Sequence, residues 1–132
     1  MKILPITVAL LILVNICSGQ SQSEMNTSSG KDFQKADKEL NAIYQKILTD
    51  YKADTAFIRN LKISQRMWVQ LRELEMNTMF PSKEPGYYGS VLPMCWANYK
   101  TMLTYDRIKF LKQWTDGTEE GDVCSGSVKI KS

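Results

Sequence analysis

A chain of 132 residues, 43% hydrophobic and 23% charged, with seven glycines and four prolines, is sized for one globular domain around one modest core. It contains no histidine, which excludes Ser-His-Asp and Cys-His catalysis, His-ligated zinc and c-type haem attachment. Seventeen lysines and arginines against 14 acids leave a net charge of +3, too even a balance for the basic stripe of a nucleic-acid binder.

Residues 1–19 read as an export signal. Lys2 is the positive head, and Ile3 to Ile16 is an apolar run broken only by Pro5, Thr7 and Asn15. As a helix this run spans about 21 Å, short of a bilayer core of about 30 Å, so it suits a cleaved leader better than a permanent anchor. Cleavage after Gly19 places Cys17 and Gly19 at the small-residue positions. Retention of Cys17 as a lipidated N-terminus is the alternative, disfavoured by the bulky Ile16 before it. No later stretch is long and apolar enough to span a membrane, so the expected location is periplasmic or secreted. Losing Cys17 leaves Cys95 and Cys124, which in an oxidising compartment are the natural disulfide pair. By loop entropy such a bridge would stabilise by about 3–4 kcal/mol. Two separate thiols are the other reading.

Three helical stretches follow. Ser21-Gln22-Ser23-Glu24 fits a capping box, and Met25, Phe33, Ala36, Leu40, Ile43, Ile47 and Tyr51 recur at helical spacing. Thr27-Ser28-Ser29-Gly30 is the place where this first helix could break. Tyr51-Lys52-Ala53-Asp54 forms a turn. The second helix runs from about Thr55 to Met79, with Phe57, Leu61, Ser64, Trp68, Leu71 and Glu75 on one face and Ile58 and Met67 beside them. Pro81, Pro85, Gly86 and Gly89 end it. The third covers about Ser90 to Trp114, with Leu92, Trp96, Tyr99, Leu103, Phe110, Leu111 and Trp114 in register, Pro93 in its first turn and Gly117 as its stop. No helix can bury its stripe alone, and the expected fold is a small all-α antiparallel bundle over residues 20–114. The tail 115–132 is expected to be irregular and tethered by the disulfide; Val128-Lys129-Ile130 alternates but has no evident partner strand.

Few residues are positioned for chemistry. Glu73, Glu75 and Asp106 form no acid–base or metal constellation, so the expectation is a protein without enzymatic activity, metal or cofactor. Arg72, Glu75 and Arg107 are expected to form a polar tie between the second and third helices. The loop Phe80 to Ser90 carries Tyr87 and Tyr88 between glycines on a proline-stiffened frame. Tyrosines so placed offer large contact area at little entropic cost, which points to Glu84, Tyr87, Tyr88 and Ser90 as a partner-binding tip. One of the two tyrosines has a simpler task available, covering the open end of the bundle. Asp116, Glu119, Glu120 and Asp122 make an acidic run that either faces solvent or steers a cationic partner.

At this point the sequence resembles the family named after the lysozyme inhibitor LprI. The resemblance spans about residues 21–111. It rests on Glu24-Met25-Asn26, Ala36-Asp37 with Leu40-Asn41, Tyr44, Ile47-Leu48, Gln65-Arg66-x-Trp68 with Arg72 and Glu75, Gly89-Ser90, and Leu103-Thr104-x-x-Arg107 with Leu111. It implies an exported all-α domain and inhibition of lysozyme, the muramidase that cuts peptidoglycan. The family commonly has cysteines where this chain has Ser28, Met76 and Tyr99, so a Cys95–Cys124 bridge would be a substitute at a new place. The resulting expectation is a non-enzymatic exported binding protein whose partner is a lysozyme-type muramidase, or alternatively another envelope protein, with the acidic tail assisting approach to the tyrosine loop.

Overall fold

The computed structural model describes the backbone of residues 4–131 and the side chains of residues 21–131. The leader assigned to residues 1–19, with Cys17, lies outside the described side chains. The fold is all-α, with helices α1 (Leu4–Asp50), α2 (Thr55–Met79) and α3 (Leu92–Asp116). Their ends follow local chemistry. Asp54 caps α2 by accepting the Phe57 N–H at 2.9 Å. Phe80 closes the helix by donating to the Met76 carbonyl at 2.9 Å, and Pro81 cannot extend it. Pro93 lies in the first turn of α3. Gly117, at φ +74°, ends that helix because an L side chain rarely adopts this left-handed backbone.

The bundle runs up, down and up. Asn26 of α1 bonds the Ser90 carbonyl just before α3, and Tyr51 after α1 bonds the Trp114 carbonyl near the end of α3. Consecutive helices are therefore antiparallel, and α1 and α3 lie parallel. These two make close backbone contact between the Asn26–Ser90 end and the Tyr51–Trp114 end. The short side chains of Ala36 and Thr104, both fully buried, allow that approach. α2 stands further off and reaches the pair through long side chains, with Leu61, Gln65, Arg72 and Met76 turned inward. The apolar core lies toward the Tyr51 end and consists of Leu40, Ile47, Tyr51, Leu61, Ile108 and Leu111. Trp68, Phe57 and Trp114 pack against it, half-buried.

Several expectations need correction. The capping box at Ser21 starts nothing, because α1 passes through it, and the same helix passes through Gly30 unbroken. The inward face of α2 is rotated from the apolar pattern. Gln65 and Arg72 are buried, whereas Met67 and Leu71 are 60% and 50% exposed. The disulfide is absent: Cys95 is half-buried, Cys124 is exposed, and both are free thiols. Cys95 lies in the first turn of α3, whereas the segment carrying Cys124 is docked beyond the opposite end of that helix. Nineteen residues of helix from Cys95 to Trp114 extend about 28 Å, against the Cα separation below about 7 Å that a bridge requires.

Hydrogen bonds hold the tail instead. The Thr118 N–H donates to the Lys129 carbonyl and the Lys131 N–H to the Thr118 carbonyl, each at 2.9 Å. Val128-Lys129-Ile130 thus does find a partner, in a single parallel bridge between Thr118 and Ile130. Of Ser28, Met76 and Tyr99, where the resemblance led one to look for cysteines, the last two fill their places by packing. Met76 is fully buried, and Tyr99 sits edge-on to Phe80 at 6.1 Å.

Candidate binding site

The motif residues Gln65, Trp68, Arg72 and Arg107 converge between the helices. The Arg72 guanidinium lies 5.0 Å from the Trp68 ring centroid and 5.5 Å from that of Phe33. Its Nη1 donates to Asp37 at 3.2 Å and to the buried Thr104 hydroxyl at 3.1 Å. That hydroxyl in turn donates to the Lys100 carbonyl at 2.8 Å. Arg107 covers Trp68 from another side at 5.6 Å and donates to Gln65 Oε1 at 2.9 Å and Ser64 Oγ at 3.1 Å. Burial lowers the pKa of its guanidinium from the ordinary value, although arginine stays charged at any physiological pH. Lys100 continues the row, 5.0 Å above Phe33 and 2.9 Å from Glu73.

This seam differs from the tie expected of Arg72, Glu75 and Arg107. The acids facing Arg72 are Asp37 at 3.2 Å and Glu73 at 3.4 Å. The Glu73 contact has ion-pair range but not hydrogen-bond geometry, so the buried Arg72 Nε lacks a hydrogen-bond partner. Arg107 is held by the neutral side chains of Gln65 and Ser64, and Glu75 is not among the acids paired with Arg72. The arrangement locks three helices in register. The most distinctive motif in the sequence therefore accounts for the fold.

The loop from Phe80 to Ser90 presents a different surface. Phe80 is its inner anchor, with its ring 5.7 Å from Trp96, 6.1 Å from Tyr99 and 6.0 Å from Tyr88. Tyr88 turns inward, and its hydroxyl donates to the Pro81 carbonyl at 2.8 Å. Two successive turns, Tyr87 N–H to Glu84 carbonyl at 3.1 Å and Gly89 N–H to Gly86 carbonyl at 3.0 Å, fix the backbone between them. The Ser90 carbonyl accepts from Asn26 Nδ2 at 3.1 Å, which ties the loop to α1. Tyr87 is left outside, 64% exposed. It stands edge-on to Tyr88 at 4.9 Å, and the Lys83 ammonium lies 5.8 Å from its ring centroid. A cleft of about 300 Å³ opens beside it, lined by Phe80, Pro85, Tyr87, Leu92 and Trp96 among others.

Of the four expected contact residues, Tyr87 and Glu84 thus face solvent, while Tyr88 and the Ser90 backbone support the loop. Phe80 and Trp96 were not expected in the site. Their aromatic character was visible in the sequence, but the meeting of a helix C-terminus with the start of another helix was not.

The acidic run is not near this tip. It follows α3, whose 25 residues extend about 37 Å away from the loop, several screening lengths at physiological ionic strength. Asp122 accepts the Cys124 N–H at 2.9 Å and the Thr118 hydroxyl at 3.0 Å, and Glu119 pairs with Lys131. Two of the four acids therefore fold the tail. Among the residues with described side chains, no helix is long and apolar enough to cross a membrane.

The family model described as Lysozyme inhibitor LprI matches residues 17–111, which takes in all three helical contributions to the seam and the whole loop. No curated protein and no solved structure matches the chain.

Proposed function

We propose that this chain, which belongs to the LprI lysozyme-inhibitor family, is an exported, non-catalytic inhibitor that docks Tyr87 and its loop into the cleft of a lysozyme. The observation that carries this reading is a tyrosine 64% exposed on a backbone already fixed by two turns, the Tyr88–Pro81 bond and the Asn26–Ser90 bond. A preorganised aromatic anchor loses little freedom on binding, so more of its contact energy becomes affinity. Tyr87 and Glu84 make the contacts, with Tyr88 and Ser90 holding them in place. Lys83, beside Tyr87, supplies a cation toward the pair of carboxylates that flank a scissile glycosidic bond. Inhibition requires only that the cleft be filled.

Export through residues 1–19 belongs to the same reading. Cleavage after Gly19 would leave Ser21-Gln22-Ser23-Glu24 to cap the shortened α1, giving the unused box a purpose. Titration of the processed protein into a lysozyme turbidity assay tests the proposal. Lysis should slow in proportion to added protein, and Tyr87→Ala should raise the concentration needed by at least about tenfold, as loss of a central aromatic anchor does. Unchanged lysis at a large molar excess of protein ends the inhibitor reading. Capture of a different envelope protein by the same tip, lost in Tyr87→Ala, would favour an envelope-interaction module.

A further inference from the structure

The outer face of α2 carries a second apolar stripe. Ile63, Met67, Leu71 and Leu74 are 52%, 60%, 50% and 63% exposed. Their spacing of four, four and three residues puts them on one face of the helix, roughly opposite the inward Leu61, Gln65, Arg72 and Met76. Four large side chains at such exposure make a contiguous patch of a few hundred Å², the size at which a covered surface is expected. A groove lined by Met67, Trp68, Leu71, Leu74 and Arg107 runs alongside.

The stripe has polarity along its length. Arg59, Lys62 and Arg66, all exposed, border its first half. Glu73 and Glu75 border its second. A uniformly anionic surface such as a lipid bilayer would attract the first half and repel the second. An antiparallel copy of the same helix matches both. A two-fold axis at residue 69 places Met67 against Leu71 of the second copy and Asn60 against Thr78, and brings Ile63 beside Leu74 and Arg66 beside Glu73 with an offset of one residue, about 1.5 Å along the axis. Apolar side chains meet apolar ones along the stripe, Asn60 and Thr78 form a polar pair, and Arg66 meets Glu73 at its border. Glu73 is 46% exposed beyond its contacts with Arg72 and Lys100, so its carboxylate remains reachable.

We infer that two copies of this chain pair antiparallel through the outer faces of α2, as an isologous two-fold dimer. The pairing leaves both Tyr87 loops free and pointing in opposite directions, so the dimer would present two tips. This inference does not rest on the inhibitor reading, since the dimer stands or falls whatever the tip binds.

Sedimentation of the processed protein in reductant, which removes any Cys124 cross-link, supplies the test. The mass should rise from one chain to two with concentration, and added salt should weaken the association by weakening the Arg66–Glu73 pairs. Met67→Lys and Leu71→Glu each change an exposed side chain, so each should fold normally and stay monomeric at tenfold the concentration that dimerises the parent. Mixed together they should form a heterodimer, because the register sets Lys at 67 against Glu at 71. A parent that remains monomeric at all concentrations overturns the inference. So does a mixture of the two variants that stays monomeric, or a monomeric parent that co-sediments with phosphatidylglycerol vesicles through this stripe.

Discussion

Both ends of the bundle carry clusters of aromatic residues, yet they are finished in opposite ways. At the tail end Tyr51 stacks on Phe57 at 4.9 Å, and Phe57 on Trp114 at 5.5 Å. Every polar handle there meets the chain itself. The Tyr51 hydroxyl donates to the Trp114 carbonyl at 3.0 Å and accepts the Lys129 N–H at 3.1 Å. The Trp114 indole donates to Ser127 at 2.9 Å, and Lys129 lies 4.4 Å over the Tyr51 ring while bonding the Asp50 carbonyl. At the loop end Phe80 packs on Trp96 and Tyr88, and the Tyr88 hydroxyl donates to the Pro81 carbonyl, but Tyr87 is left facing water. An aromatic cluster closed by its own chain is structural. A rigid cluster that holds one ring outside is equipped to meet something else.

Substitutions that break the closed end should have the largest effect. Tyr51→Ala removes a ring that is 3% exposed and should destabilise by about 3–5 kcal/mol. Tyr51→Phe keeps the ring but strands the Lys129 N–H and the Trp114 carbonyl, for about 1–2 kcal/mol. Urea denaturation measures both. Gly117→Ala comes next. A Cβ there would sit 2.9 Å from the Lys129 carbonyl oxygen at φ +74°, so the tail must shift and stability should fall by about 1 kcal/mol or more.

Gly30→Ala should act in the opposite direction. It lies mid-helix on the loop-end half of α1 with nothing within 4 Å of an added Cβ, and should gain about 0.5–1 kcal/mol from helix propensity. Tyr87→Ala sharpens the contrast most cleanly, since stability should change by less than about 0.5 kcal/mol while the concentration needed for inhibition rises by at least about tenfold. An equal loss of stability at Tyr51 and Tyr87 would erase the distinction between the two ends.

The smallest effect concerns pH. The Lys131 pKa is raised from 10.5 by its hydrogen bond to Glu119, then by the charges of Glu119 and Asp116. A raised base contributes fully below its unfolded pKa, and the contribution disappears as pH climbs through the higher folded value. Proteolysis of the tail, followed from pH 8 upward, should therefore stay constant until the lysine range and accelerate only there. The group is exposed, so the change is small beside that of Tyr51→Phe.

The number of helices and the turns between them could be read from residue order alone, whereas the expected Arg72–Glu75–Arg107 tie gave way to Asp37, Thr104, Gln65 and Ser64 as partners across the seam. Asp54, Pro81, Pro93 and Gly117 act within a few residues of themselves, so α2 begins and ends where expected. The family motif likewise named Trp68, Arg72 and Arg107 in advance. The rotation of α2 could not be read this way. Apolar spacing pointed Leu71 inward, but Arg72 and Gln65 took the interior because Asp37, Thr104 and Arg107 stand ready to bond them. Hydrophobicity measures a side chain against water and is blind to partners thirty residues away. The unused capping box shows the same limit, since a cap functions only where a helix has no turn before it.

Sequence by itself determined α2 and α3, because capping, proline and helical periodicity are local chemistry. It also marked Tyr87 and Tyr88 as a pair worth watching. Only the tertiary structure decided which tyrosine faces out, that Cys95 and Cys124 lie at opposite ends of α3, and that Tyr51 holds the tail that a disulfide was expected to hold. Each of those outcomes depends on distances between segments far apart in the chain. The hold on the tail is the clearest case, since the Lys129 N–H meets a Tyr51 hydroxyl 78 residues before it, and no pattern within a single helix contains that contact.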